Sequence, residues 1–324
     1  MPSAPAPLPD GLGEAFGVAE ARRAGASAAR LRASDLEAPF WGVRRRVAQA
    51  AEVDDTPLGR TRSTRERVLR DARTFAPLLP EGAFYAGRTA AVLHGATVAH
   101  DGDLEVAVLA PGRTLRREGI RGRKVAPVFA SVRTVGGLPT ASPAATWAML
   151  GDELDVHGLI RLGDELVRIP RDAYAVPQPD QQKATPAQLR AVVAAGPRRG
   201  VVALRAALER IRVGSMSLLE TDWRIQAEDA GLPEPDLDVE VRGPRGLLLG
   251  IADGAYPAYG VLVEVEGDHH RTDVAQWNRD IRKHADFAAV GFEVVRLTRS
   301  HIGGRTPSAP RLLRAVLLRH GWRP

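Results

Sequence analysis

Apolar residues along this chain fall into two rhythms. Near-continuous or alternating runs at Leu104–Leu109, 237–241, 247–252, Val261–Glu266 and 292–298 predict strands, since side chains two apart share one face of a pleated ribbon. Spacings of three and four predict helices over 64–75, 88–94, 143–150, 217–230, 274–290 and 309–320, with two more across 186–211. The punctuation agrees: Ser217 stands three before Glu220 as an N-cap, Pro143 opens a first turn, and Gly231 and Gly291 close helices. From residue 214 onward the order reads α-β-β-β-α-β-α. The expected fold class is α/β, α+β overall, and with no repeat at a period of about 20–50 residues a solenoid or propeller is excluded.

Upstream the rhythm is weaker. Residues 1–12 are rich in Pro and Ala and read as a disordered lead. Over 13–75, Ala21, Gly25 and Leu31 are spaced as a small contact residue, a turn glycine and an apolar anchor, with Ser27 capping the second of two short helices. That pattern predicts a helix-turn-helix, and residues 40–46 (FWGVRRR) a β wing behind it. Arg30, Arg44, Arg45 and Arg46 are then candidate contacts to nucleic-acid phosphates, although a plain helical hairpin with solvated arginines fits the same residues. Residues 76–185 mix helix and strand. There Arg113, Arg116, Arg117, Arg121, Arg123 and Lys124, opposed only by Glu118, read either as a solvated loop or as a stretch that holds nucleic acid by counterion release. Residues 186–213 form a helical connector, and 214–324 a further unit.

Composition narrows the chemistry. At 324 residues the chain is long enough for two or three domains, and 44% hydrophobic residues supply their cores. Cysteine is absent, which excludes disulfides, thiol nucleophiles, iron–sulfur clusters and cysteine-bound zinc. Any metal must bind oxygen or imidazole. The N-terminus lacks the basic and apolar regions of a secretory signal, and no stretch reaches the roughly 18 apolar residues of a membrane span, so a cytoplasmic protein is expected. The net charge of +6 hides a segregation: residues 215–300 hold 16 acidic and nine basic residues, −7, which leaves 36 basic and 23 acidic residues, +13, elsewhere. A basic remainder suits an approach to phosphate backbones, and the acidic segment asks for a cation.

Within that segment Glu264 and Glu266 share a strand face with Leu262 while three valines take the other. Carboxylates two apart on a strand lie about 7 Å from each other and repel. A hard divalent cation relieves that repulsion, and Asp253, at the end of the neighbouring apolar run, adds another oxygen ligand. The bland alternative is an edge strand whose glutamates face water.

The strings DGAYP, VLVEVEGDHHRTD and QWNRDIRKHADFAAVGFEVVRLT resemble the very-short-patch-repair-like branch of the PD-(D/E)XK nuclease superfamily over 215–302. The resemblance implies a restriction-endonuclease-like αβα sandwich binding Mg²⁺ or Mn²⁺. It makes Asp253 the aspartate of the motif, Glu264 the next acidic position with the Val265 carbonyl beside it, and Glu220 the helix glutamate that joins the metal. His270 and Asp280 match the histidine and downstream aspartate of the repair enzymes, and Arg271 and Arg279 are carried with them as nucleic-acid contacts. Glu266 occupies the place of the motif lysine; it stays among the catalytic candidates, while His270 would take the proton from the attacking water. Each residue also has a structural reading: Glu220 in a capping box, His270 on a surface loop, Arg279 and Asp280 in helix-face ion pairs. Farther upstream, the helix-turn-helix followed by RTAAVLHG and GLPTASPAATWAML resembles the AbiEi-type antitoxin and transcriptional-regulator architecture, with its winged helix-turn-helix. That likeness implies DNA binding and a toxin–antitoxin partner. The expected function is a metal-dependent DNA endonuclease of repair or defence; the alternative is a non-catalytic DNA-binding regulator with a degenerate nuclease fold.

Overall fold

The apolar runs become strands of three separate sheets. A computed structural model describes residues 5–47, 56–266 and 274–324, with the main chain alone described at 57, 58 and 274–280. Among the described residues there are eleven α-helices and thirteen strands, so the protein is mixed α/β. Contacts gather it into two units, Met1–Asp152 with Ala191–Arg199, and Glu153–Arg190 with Gly200–Pro324.

The first unit opens with β1 (Ala15–Gly17), α1 (Val18–Arg23), β2 (Leu36–Glu37) and β3 (Val43–Arg46), where β3 is the middle strand of a three-stranded antiparallel sheet. The second helix expected after Ser27 is a single 3-10 turn, Arg30–Arg32, with Ser27 Oγ accepting from the Arg30 N–H at 3.1 Å. Next come α2 (Pro57–Phe75), β4 (Phe84–Tyr85), α3 (Gly87–Leu93), β5 (Leu104–Leu109), β6 (Arg116–Arg117), β7 (Ile120–Val125), β8 (Val132–Val135), β9 (Leu138–Ala141) and α4 (Pro143–Met149). The six strands β4–β9 form one mixed sheet in the order β6-β7-β5-β4-β9-β8. The arginine run expected as a loop thus supplies two strands, since Ile120 and Val125 anchor β7 in the core. Phe40 and Val43 share a buried cluster with Val68, Phe75, Tyr85, Leu104 and Val106, so the small sheet and the large one pack on common apolar ground.

The second unit contains α5 (Val156–Val167), part of α6 (Pro186–Ala194), α7 (Val201–Arg210), α8 (Leu218–Asp229), β10 (Asp236–Arg242), β11 (Leu248–Tyr256), β12 (Val261–Glu266), α9 (Val274–Ala289), β13 (Glu293–Thr298), α10 (Arg299–Ile302) and α11 (Ala309–Arg319). Its sheet runs β10-β11-β12-β13, antiparallel up to β12 and parallel between β12 and β13, with α9 as the crossover that a parallel pair requires. Trp223 of α8 and Leu313 and Leu317 of α11 bury against Val261, Val263 and Leu297 on one face; Phe287 of α9 meets Ala252, Ala255 and Leu262 on the other. No helix among the described residues is long and apolar enough to cross a membrane.

Candidate functional site

Two glycines let the flanking helices close on β11. A Cβ at Gly254 would come 2.7 Å from the Trp223 ring, and one at Gly250 would meet the Lys283 stem and the Phe287 ring at 3.0 Å. Between these glycines stands Asp253. It lies inside β11 rather than at its end, because the strand continues to Tyr256.

At Asp253 the sheet opens. Paired residues of β11 and β12 run from Tyr256↔Val261 to Gly254↔Val263, and continuing that register sets Asp253 opposite Glu264. There the side chain replaces the ladder: Asp253 Oδ2 accepts the Val265 N–H at 2.6 Å. On its other side the paired residues skip from Leu237↔Gly254 to Val239↔Ala252, and the intervening Asp238 adopts a left-handed φ of +53°. Strained backbone of this kind persists only where surroundings hold it, and Arg171 does so, donating from Nε to both Asp238 carboxylate oxygens at 2.9 and 3.0 Å. The same guanidinium reaches Glu240 at 3.0 Å.

Glu220 comes to this opening from α8. Ser217 caps the helix by accepting the Glu220 N–H at 3.2 Å, and the Glu220 carboxylate accepts the Met216 N–H at 2.7 Å, a reach one residue beyond an ordinary capping box. The glutamate is 6% exposed. Burial first, and then the negative charge of Asp253, push its carboxyl up to about 8. Buried Asp164 of α5 fixes the helix behind it, accepting from Thr221 Oγ1 at 2.9 Å and from the Arg224 guanidinium at 2.8 Å.

Glu264 is buried as well, and Lys283 of α9 donates from Nζ to its Oε2 at 2.7 Å, with His284 Nε2 4.0 Å from the same oxygen. The sequence reading missed Lys283, which is 19 residues from Glu264, and the neighbouring His284. The signal was present: Phe287 marks the buried face of α9, and a residue four earlier lies on that face. Asp238 and Arg171 were missed too, since no local pattern announces a left-handed strand residue. Glu266, in the place of the motif lysine, forms an ion pair with Arg296 of β13.

The other expected residues divide. His270 and Arg271 lie outside the described residues, and Arg279 and Asp280 fall within α9 with their side chains outside them. Arg30 and Arg45, expected at phosphates, are turned inward: Arg30 forms two hydrogen bonds to Asp35 at 2.6 and 2.8 Å, while Arg45 bonds Glu37 and Asp71, each at 2.7 Å. Arg44 donates to the Leu31 and Val43 carbonyls, and only Arg46 of the four is exposed. Both inward pairs are near-fully desolvated on the arginine side, which suits holding the hairpin rather than exchanging partners.

Among the described residues no three His, Asp or Glu side chains are gathered closely enough to hold a metal ion. Glu220 senses the charge of Asp253, whereas Glu264 is held by Lys283. The donor chemistry nevertheless fits a hard cation: the candidate ligands are carboxyl groups, and one, Glu220, is kept from ionising first by burial and then by the charge of Asp253. Comparison with protein-family models, curated proteins and solved structures finds no match for this chain.

Proposed function

We propose that the second unit is a metal-dependent DNA endonuclease with a restriction-endonuclease-like core, and that the first unit, through a winged-helix-like module, brings it to DNA. The observation behind this reading is that the strand register sets Asp253 opposite Glu264, itself held by Lys283, where β11 and β12 part, with Glu220 sensing the charge of Asp253. Two buried carboxyls, Glu220 and Glu264, beside half-buried Asp253 and Lys283 cost stability, and packing alone gives no return for them.

In this reading Asp253 and Glu264 hold Mg²⁺ or Mn²⁺, with Glu220 as a third ligand. Once bound, such an ion neutralises phosphate charge and acidifies water. Lys283 stands at the edge of the site, where its Nζ would donate a hydrogen bond to a phosphate oxygen, the role that Glu266 cannot fill. His270 remains the proposed base, and His284 is the described imidazole nearest Glu264.

A second reading draws on the ion pair that engages Glu264: a non-catalytic DNA-binding regulator or antitoxin, in which Lys283 has taken the cation's place for good. Plasmid cleavage separates the two. With Mg²⁺ the wild-type chain should nick or cut DNA and Asp253→Ala should lose that activity; identical products from both proteins, or none from either, would leave the regulator.

A further inference from the structure

Among the described elements α2 carries the largest net positive charge, six arginines against Glu66 and Asp71. Thr56 Oγ1 caps it by accepting the Gly59 N–H at 3.0 Å, and Val68, Ala72 and Phe75 sink its inner face into the core. The Tyr85 hydroxyl fastens that face by donating to the Ala72 carbonyl at 2.5 Å. With the inner face fixed, helical geometry decides what points outward. Arg60, Arg62, Arg65, Arg67, Arg70 and Arg73 are all exposed, and at 100° per residue they spread over an arc of about 220°. The helix has two acids. Asp71 is taken by Arg45, which leaves Glu66 alone among six arginines.

Several surface arginines of the second unit are answered by carboxylates, Arg210 by Glu228 and Asp229, Arg212 by Glu234, Arg242 by Glu240, Arg319 by Glu293, whereas others, such as Arg22, Arg113 and Arg133, stand singly or in pairs rather than along one helix. Arg62, Arg65, Arg67, Arg70 and Arg73 have no ion-pair partner among the described residues. Like charges three apart, as in Arg62/Arg65, Arg67/Arg70 and Arg70/Arg73, repel on a helix. Among the described residues these five arginines meet no counter-charge, and a polyanion outside the chain would supply one.

We propose that the outer face of α2 is the surface that grips the sugar–phosphate backbone of duplex DNA. An arc of about 220° is wider than a flat anionic membrane can satisfy, and no exposed apolar side chain is described on this face to enter one. A groove walled by phosphates on two sides satisfies such an arc, and a helix of 10–12 Å diameter enters a major groove of about 12 Å. The 19 residues of α2 extend about 28 Å, enough to pass several phosphates. The inference rests on the DNA-binding part of the proposed function and not on cleavage, and it moves the DNA-gripping role from the hairpin arginines to α2.

The test is fluorescence anisotropy of the full chain on a labelled duplex of about 20 base pairs, in EDTA and over a range of KCl concentrations. Replacing Arg62, Arg65, Arg70 and Arg73 by Gln should lower the slope of log K against log[salt] by about 3–4, at roughly 0.9 for each phosphate no longer neutralised, and should weaken binding in 0.1 M KCl at least about 30-fold. The four lysine replacements should keep the slope. Gln replacements at the paired Arg210, Arg212, Arg242 and Arg319 should leave it unchanged. An unchanged slope in the α2 glutamine variant, or an equal loss in the control, overturns the proposal; tighter binding to anionic phosphatidylglycerol vesicles than to duplex does so too. Because EDTA silences metal-dependent cleavage, these outcomes are independent of whether Asp253→Ala abolishes nicking.

Discussion

The opening between β11 and β12 and the outer face of α2 handle charge in opposite ways. Around the opening, ionisable groups are buried and answered within the chain: Glu264 by Lys283, Asp238 by Arg171, Asp164 by Arg224. On the outer face of α2 they are exposed and, Glu66 apart, share one sign. Buried charge requires a partner at fixed geometry and fails sharply when that partner is lost, whereas exposed like charge is screened by water and salt and tolerates change. Geometry therefore matters at the first place and charge number at the second. The proposed cleavage site and the proposed DNA-gripping face make those two demands respectively.

The comparison breaks most visibly at Asp164. Its side chain and that of Arg224 are 1% and 3% exposed, so Asp164→Ala strands a buried guanidinium and should destabilise the protein by about 3–5 kcal/mol in urea unfolding. Replacing both by apolar residues, Asp164→Leu with Arg224→Met, should recover most of the loss. The quadruple α2 glutamine variant should stay within about 0.5 kcal/mol of wild type. A single Asp164 variant as mild as the α2 variant would show that the two regions do not differ.

Lys283→Met follows in size. Removing one donor at a phosphoryl-transfer site costs about 10²-fold in rate, and duplex affinity measured in EDTA should not move. A variant that cleaves normally would return Lys283 to a packing role and leave Glu264 without its proposed companion.

How much of this was legible in the residues follows from what each feature depends on. β12 is read to the residue, Val261–Glu266, because Gly260 and Gly267 flank it in the sequence and the valines alternate with Leu262 and the carboxylates. The Ser217 cap, α11 and β5 are local patterns of the same kind. α5 went unseen although it buries Leu159, Ile160, Leu162 and Leu166, since the chain before it lacks a distinct break. Arg30 and Arg45 were misassigned because a string of arginines does not disclose which one finds Asp35, or Glu37 and Asp71, across the hairpin and α2. Lys283 illustrates the general limit: a constellation assembled from a strand and a later helix has no spacing of its own, and only the packing of Phe287 beneath Gly250 brings the ammonium to Glu264. The outward arc of α2 had the opposite fate. Its arginines were visible, but the helix was expected to begin at residue 64, and only its true start at Pro57 adds Arg60 and Arg62 to the face.

A pH-dependent effect belongs to Glu220. Its folded-state carboxyl titrates at about 8 against the ordinary 4.5, so between those values the folded chain holds a proton that the unfolded chain has released. Stability is therefore lost as pH rises from about 4.5 towards 8, and is flat above. Glu220→Gln should remove that slope and be more stable than wild type at pH 8 by at most about 4 kcal/mol, with the two proteins converging near pH 4.5. Adding Mg²⁺ at pH 8 should stabilise wild type and not the variant. Parallel pH profiles would mean that Glu220 and Asp253 do not share a site.

The smallest effect tests the α2 face from its margin. Arg121 of β7 pairs with Asp101 at 2.5 Å, with the two side chains 46% and 53% exposed, and Arg67 of α2 borders the same loop, its Nη1 lying 3.5 Å from where a Cβ on Gly102 would be. An exposed pair of this kind contributes at most about 0.5–1 kcal/mol, so Asp101→Asn should barely alter unfolding. It should, however, release one guanidinium next to α2. If availability of arginines sets the grip, the salt slope rises by up to about 1 and duplex affinity a few-fold, while Arg121→Gln leaves both near wild type. Equal gains in a variant that neutralises a distant acid, Glu293→Gln, would mean that net charge alone draws the protein to DNA. In that case the arc on α2 has no privilege over any other basic surface, and the contrast between fixed and exchangeable charge reduces to electrostatics summed over the whole chain.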